Sequence, residues 1–84
     1  MSTATQEALA AIWAEVLRLD QVGPDDDFFA VGGNSLQAVR MAALVHERLG
    51  IEPPLQDLFV YRTLADFAGR LDLAAELAGE EGAI

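Results

Sequence analysis

Ser35 is the residue whose setting first suggests chemistry. It ends the stretch Gly32-Gly33-Asn34-Ser35, and an apolar-periodic segment follows directly. A hydroxyl in such a place could cap a helix, attack a substrate, bind a phosphate, or be the point at which another group is attached. Each of these roles requires different companion residues, so the rest of the sequence discriminates among them.

The sequence argues against a serine hydrolase. A serine nucleophile needs a base within hydrogen-bond distance. The one histidine, His46, lies eleven residues farther along the same predicted helix, roughly 16 Å along its axis. The nucleophile elbow G-x-S-x-G is also absent, because Gln37 stands where the second glycine belongs and no strand is predicted before Ser35.

Nucleotide and metal sites are equally unsupported. A Walker-type phosphate loop requires a lysine, and the chain has none. A calcium loop that began at Asp25 or Asp27 would end at Leu36 or Ala38, where the bidentate glutamate belongs. No cysteine is present and His46 is the single imidazole, so no thiolate or imidazole-rich site can form. We therefore expect no metal.

The charge of the chain bears on its partners. Fourteen acidic residues against five arginines give a net charge of -9 at pH 7. Nucleic acids and anionic membrane surfaces would repel such a chain, so neither is an expected partner. The sequence shows no signal peptide and no apolar run long enough to cross a bilayer. We expect a monomeric cytoplasmic domain that meets proteins with basic surfaces.

Hydrophobic periodicity predicts an all-α fold. At 84 residues and 52% apolar residues, the chain has enough apolar surface for one modest core. The predicted fold is a small four-helix bundle of three main helices and one short one: Ala4–Arg18, Ser35–Leu49, a short helix at LQDLF (residues 55–59), and a last helix after Thr63. Thr3 and Gln6 would form a capping box at the first helix, and Gly50 would end the second.

The predicted single domain, residues 1–84, has a folded core at about residues 4–72 and an acidic tail at about 73–84. A loop of about sixteen residues separates the first two helices, with the turn pairs Gly23-Pro24 and Gly32-Gly33. Loops of this length in small domains are uncommon and usually functional. We predict an ordered loop held to the core by its apolar residues, Leu19, Val22, Phe28, Phe29 and Val31.

Ser35 keeps two roles at this point. The ordinary one is an N-cap, for which Asn34 competes. The other is attachment, because two glycines leave the hydroxyl accessible and a phosphodiester would lie beside free N–H groups at the positive end of the helix dipole. A helical wheel of the second helix also places Leu44 among polar residues and Leu36 at their edge, which suggests a contact surface.

The sequence closely resembles the peptidyl carrier (thiolation) domains of non-ribosomal peptide synthetases. The specific part is the string D-x-F-F-x-(hydrophobic)-G-G-x-S-(L/I), here residues 26–36, and the resemblance covers roughly residues 8–71. The run Pro54–Phe59 and the Thr63-Leu64 pair fit as later landmarks. The family usually has His or Asp where Asn34 stands, and more often leucine where Val31 stands.

The resemblance implies that Ser35, supported by Gly32, Gly33 and Asn34, receives 4′-phosphopantetheine from coenzyme A. The thiol of this arm would carry aminoacyl or peptidyl thioesters between enzymes of natural-product biosynthesis, and the domain itself would not be an enzyme. The implied partners are a phosphopantetheinyl transferase, an adenylation enzyme or domain, and condensation, tailoring or thioesterase partners. The residues that would contact them are Leu36, Arg40, Phe59, Val60 and Tyr61.

Two other functions stay open on the sequence alone. An acyl carrier protein of polyketide or fatty-acid type would share the fold and the modified serine, although Arg40 and Arg48 against a single acid, Glu47, favour the peptidyl type. An unmodified acidic helical interaction module would use Ser35 only as a cap. The start MSTATQ and the acidic tail lead us to expect a free-standing carrier that meets its enzymes in trans.

Overall fold

The apolar residues spaced three and four apart along the helices meet in one core. In the computed structural model, which describes residues 3–82 and the side chains of residues 4–76, there are three α-helices and one 3-10 helix. They are α1 (Thr3–Leu17), α2 (Ser35–Leu49), η1 (Leu55–Phe59) and α3 (Leu64–Gly82). Helix α1 packs against both α2 and α3, and η1 packs against α2. The predicted four-helix bundle is confirmed.

Every element contributes to the core, and so does the long loop. Trp13 lies at its centre, with its ring 5.0 Å from that of Phe28 and 6.4 Å from that of Phe67. The core residues, each nearly or fully buried, are Leu9, Ile12, Trp13, Val16, Phe28, Ala38, Met41, Val45, Leu58, Leu64, Phe67, Ala68 and Leu71.

The predicted helix ends agree with the structure at α2 and α3. Gly50 has a φ of 68°, and its N–H donates to the carbonyl of His46 at 3.0 Å. Thr63 caps α3, because its hydroxyl accepts the N–H of Asp66 at 3.2 Å. Helix α1 begins at Thr3, one residue before the predicted start, and the predicted capping box there depends on the Thr3 side chain, which lies outside the described residues.

The long loop between α1 and α2 is packed, as predicted. Phe28 is fully buried, and Val22 and Phe29 pack against the core, whereas Leu19 and Val31 are half-buried and lie outside that group. Backbone hydrogen bonds also fix the loop to the start of α3. The N–H of Phe28 donates to the carbonyl of Arg62 at 2.9 Å. In the other direction, the N–H of Leu64 donates to the carbonyl of Asp26, and that of Ala65 to the carbonyl of Pro24, both at 3.0 Å.

One prediction about α2 is wrong. The wheel placed Leu44 on the polar side, but in the structure Leu44 is half-buried and packs against the core. The reason is that α1 lies along this side of α2, where Glu15 and Val16 face Leu44 across a groove. The wheel describes one helix and contains no information about its neighbour.

Helix α3 continues beyond Leu71, the last of its core residues, to Gly82. The division into a folded core and an acidic tail near residue 72 stays a prediction, because the helix runs through it and the side chains from residue 77 onward lie outside the described ones. Within the described part of the chain, the helices are too short or too polar to cross a membrane.

Candidate functional site

Asn34, and not Ser35, caps α2. The Oδ1 atom of Asn34 accepts the N–H of Gln37 at 2.9 Å, and the Oε1 atom of Gln37 accepts the N–H of Asn34 at 3.1 Å. These reciprocal bonds form a capping box. The competition between the two polar residues is thus resolved, and the side chain that differs from the usual His or Asp of carrier sequences has a structural role in this chain.

Ser35 is the first residue of α2, and its side chain is exposed. Among the hydrogen bonds of the described residues, none uses its hydroxyl. The first turn of a helix leaves backbone N–H groups without intrahelical partners and carries the positive end of the helix dipole. The hydroxyl is therefore accessible, and a phosphate ester formed on it would be stabilised where it stands.

The two glycines before Ser35 are required for different reasons. Gly32 has a φ of 109°, a conformation that favours glycine. Gly33 lies directly against Phe28, so that a Cβ atom at Gly33 would overlap both the Phe28 ring and its carbonyl oxygen. The N–H of Gly33 donates to that carbonyl at 2.9 Å. Ser35 therefore emerges from a tight turn built on a buried aromatic residue.

Asp27 organises this turn, which we call the Ser35 turn (residues 27–34). Its Oδ1 atom accepts the N–H groups of Phe29 and Ala30 at 2.9 and 3.1 Å, and its Oδ2 atom accepts Nε of Arg62 at 2.9 Å. Partial burial raises the pKa of the Asp27 carboxyl. The N–H groups of Ala30 and Phe29, together with Arg62, lower it more, so its pKa lies below the usual value.

The five residues predicted to contact partners all lie on the surface. Leu36 and Val60 are 70% and 71% exposed, and Phe59 is 60% exposed. Arg40 and Tyr61 are also exposed, although Arg40 borders the groove between α1 and α2. Sequence analysis missed Val39, which is 54% exposed. Its spacing of three residues from Leu36 on α2 is the signal that could have identified it.

An aromatic contact brings residues 59–61, here called the 59–61 segment, to the Ser35 turn. The Phe59 ring stacks on that of Phe29, with centroids 5.1 Å apart and planes 13° apart. The guanidinium carbon of Arg62 lies 5.4 Å from the Phe29 centroid. Sequence analysis identified neither contact, because each joins residues far apart in the chain.

The two segments that carry the predicted partner contacts hold few carboxylates although the chain is strongly acidic. Residues 27–40 and 55–63 contain two carboxylates, Asp27 and Asp57, and each is paired with an arginine, Arg62 at 2.9 Å and Arg70 at 2.7 Å. His46, the only imidazole, lies near Glu52 (3.6 Å) beyond the middle of α2. The described part of the chain thus offers an exposed hydroxyl and a contact surface, but no base within hydrogen-bond distance of the hydroxyl.

Comparison with known proteins agrees with this geometry. A family model described as "Phosphopantetheine attachment site" matches residues 7–71. Malpibaldin synthetase from Mortierella alpina is 54% identical over 63 residues, which are 75% of this chain and 1% of the length of that protein. The chain therefore spans only a small part of this curated relative.

Two solved structures are similar over most of their length. BlmI, described as a type-II acyl-carrier-protein from Streptomyces verticillus involved in bleomycin biosynthesis, is 38% identical with a TM-score of 0.79, over 84% of this chain and 86% of its own. The structure of the phosphopantetheine transferase Sfp in complex with coenzyme A and a peptidyl carrier protein contains a chain that is 36% identical with a TM-score of 0.80, over 87% and 95%. The chain belongs to the phosphopantetheine attachment-site family, as a carrier domain of the peptidyl type found in non-ribosomal peptide synthetases.

Proposed function

We propose that Ser35 is the residue that bears 4′-phosphopantetheine, and that the thiol of this arm carries aminoacyl or peptidyl thioesters between enzymes of non-ribosomal peptide synthesis. The observation that carries the proposal is the division of roles at the start of α2. Because Asn34 makes the cap, the Ser35 hydroxyl is exposed and can attack coenzyme A within a transferase. The Ser35 oxygen bonds to the phosphorus that bears pantetheine, the pyrophosphate bond of coenzyme A breaks, and 3′,5′-adenosine bisphosphate leaves.

We further propose that the domain is a substrate of its enzymes and not a catalyst. Proton removal from the Ser35 hydroxyl needs a base, and His46 lies eleven positions farther along α2. The partner must therefore supply that base. Once the arm is attached, its thiol takes part in the chemistry, which agrees with a chain that contains no cysteine.

The proposed partners are those implied by the carrier role: a phosphopantetheinyl transferase, an adenylation enzyme or domain that loads the arm, and condensation, tailoring or thioesterase partners that unload it. Support comes from the solved complex of Sfp with a peptidyl carrier protein. We propose that all of them contact Leu36, Arg40 and the 59–61 segment, since these residues are exposed and the segment stacks on the Ser35 turn through Phe59 and Phe29. The cytoplasmic location and the monomeric state stay predictions.

The test is intact-protein mass after incubation with coenzyme A and a broad-specificity phosphopantetheinyl transferase. We expect a gain of one phosphopantetheine, which Ser35→Ala abolishes. Ser2→Ala is a matched control, because Ser2 is the only other serine of the chain and its replacement should leave the gain intact.

The absence of any gain, with a known carrier modified in parallel, would contradict the proposal and favour an unmodified interaction module. A gain that persists in Ser35→Ala would place the attachment at another residue. Loading of the modified chain by an amino acid-activating adenylation enzyme, and not by a malonyl transferase, is the expected second step. It separates the peptidyl carrier from the acyl carrier of polyketide or fatty-acid type.

A further inference from the structure

The exposed side chain of Phe59 is held in place by Phe29. Phe59 is 60% exposed, yet its ring lies nearly parallel to that of Phe29 at a centroid distance of 5.1 Å, a favoured offset-stacked arrangement. Phe29 is half-buried, packs against the core and contacts the Phe28 ring edge-on at 5.4 Å. Phe29 therefore stands between the core and an exposed aromatic residue.

The backbone of Phe29 belongs to the Ser35 turn. Its N–H donates to Oδ1 of Asp27 at 2.9 Å, and its carbonyl accepts the N–H of Gly32 at 3.2 Å. The side chain of Phe29 thus contacts the 59–61 segment, while its main chain helps to shape the turn that leads to Ser35. Phe29 therefore joins the 59–61 segment to the Ser35 turn.

Arg62 makes a second connection between the same two parts. Its Nε atom donates to Oδ2 of Asp27 at 2.9 Å, and its carbonyl accepts the N–H of Phe28 at 2.9 Å. Its guanidinium group also lies over the Phe29 ring. Arg62 directly follows the 59–61 segment, so these contacts fix the end of the segment to the Ser35 turn.

We propose that Phe29 is a positioning residue for recognition, which sets the 59–61 segment relative to Ser35 so that an enzyme acting on Ser35 contacts both at once. The proposal rests on the function proposed above. When only a fraction of the molecules has the binding surface correctly arranged, the apparent affinity is the intrinsic affinity multiplied by that fraction. Loss of the Phe29 ring should therefore raise the KM of the enzyme for the carrier, while kcat changes little.

The test is the initial rate of phosphopantetheine transfer from coenzyme A by a phosphopantetheinyl transferase, measured over a range of carrier concentrations. The chains compared are the wild type, Phe29→Leu, Phe59→Ala and the double variant. Leucine keeps an apolar side chain against the core but lacks a flat ring for stacking. We expect each single variant to raise KM about three- to tenfold. This is the fold-change that corresponds to the interaction free energy of one aromatic pair. The double variant should have the KM of Phe59→Ala alone, because Phe29 acts through Phe59.

Two further variants separate positioning from a general loss of structure. Phe29→Tyr keeps the stacking ring and should have the wild-type KM. Leu73→Ala removes an exposed apolar side chain (49% exposed) from α3 and should also leave KM unchanged. Urea unfolding shows which variants are folded under the assay conditions. If Phe29→Leu does not fold, Phe29→Met takes its place in the cycle, since it also keeps an apolar side chain against the core and lacks a flat ring.

An unchanged KM in Phe29→Leu would overturn the proposal, and so would increases that multiply in the double variant. A raised KM that Phe29→Tyr does not restore would also overturn it. Failure of the proposed function would give a different result: the wild-type chain itself would stay unmodified while a known carrier is modified. This result would be seen before any variant is compared.

Discussion

Asn34 and Ser35 divide two tasks that one polar residue at a helix start could be expected to share. Asn34 accepts the N–H of Gln37, so Ser35 keeps its hydroxyl accessible. The sequence showed that one of the pair would cap α2 but not which one, because both residue types are good caps. The choice depends on where the backbone turns into the helix, and that turn is set by Gly32 and Gly33 against Phe28.

The cap gives the first prediction at the residue scale. Asn34→Ala removes the acceptor for the Gln37 N–H and should destabilise the fold by ~1 kcal/mol. Asn34→Asp keeps an acceptor and adds a negative charge at the positive end of the helix dipole, so it should be at least as stable as the wild type. Urea unfolding at neutral pH measures both. Equal stability of Asn34→Ala and the wild type would show that the capping bonds contribute nothing.

At the scale of the elements, α1 ends differently from α2. Helix α2 is followed by a glycine with positive φ, Gly50, whereas α1, which ends at Leu17, one residue before the predicted Arg18, is followed by Arg18 with a φ of 58°. The N–H of Leu19 donates to the carbonyl of Ala14 at 2.9 Å, the long-range bond of a Schellman motif. An L-residue with a side chain is strained in this conformation. This left-handed residue could not be predicted from the sequence, because arginine is an ordinary helix residue and Gly23 is the first glycine after α1.

Arg18→Gly should therefore stabilise the protein. Relief of the left-handed strain is worth about 1–2 kcal/mol, and the greater freedom of glycine in the unfolded chain offsets about 0.5–1 kcal/mol of it. Thermal unfolding should show a higher midpoint for Arg18→Gly than for the wild type. Arg18→Ala is the control, since it removes the same charge and keeps a Cβ atom; an equal gain in that variant would assign the effect to charge and not to the backbone.

At the scale of the whole molecule, the charge is distributed unevenly. The net charge of -9 led us to expect partners with basic surfaces, but the carboxylates of the two segments around Ser35 are both paired with arginines. Helix bounds and the cap at Thr63 could be predicted because their signals are local. The Phe29–Phe59 stack, the Asp27–Arg62 pair and the burial of Leu44 could not, since each depends on how distant segments pack.

The Asp27–Arg62 pair makes a prediction about the pH dependence of folding. The pKa of Asp27 is lower in the folded chain than in the unfolded one, so its contribution is fully present above pH ~4 and is lost as the pH falls through the folded-state pKa. Asp27→Asn should have a lower free energy of unfolding than the wild type at pH 7. The difference between the two proteins should become smaller below pH ~4. Urea unfolding followed by the fluorescence of the buried Trp13 measures it.

The other carboxylates do not obscure this comparison. They also become protonated at low pH, which relieves repulsion within the acidic chain, but they do so in both proteins. The difference between wild type and Asp27→Asn isolates Asp27. A gap that stayed constant from pH 7 to pH 3 would contradict the predicted role of its carboxylate.

The hydrogen bonds that join Asp27 and Phe28 to Arg62 have a consequence for the synthesis of the chain in the cell. Arg62, the ion-pair partner of Asp27, lies 35 residues later in the sequence, so a ribosome must synthesise most of the domain before the Ser35 turn can acquire its long-range contacts. A nascent or truncated chain that ends before Phe59 carries the serine and both glycines but lacks the 59–61 segment, Arg62 and α3. An enzyme that requires this whole surface therefore modifies finished domains and passes over incomplete ones.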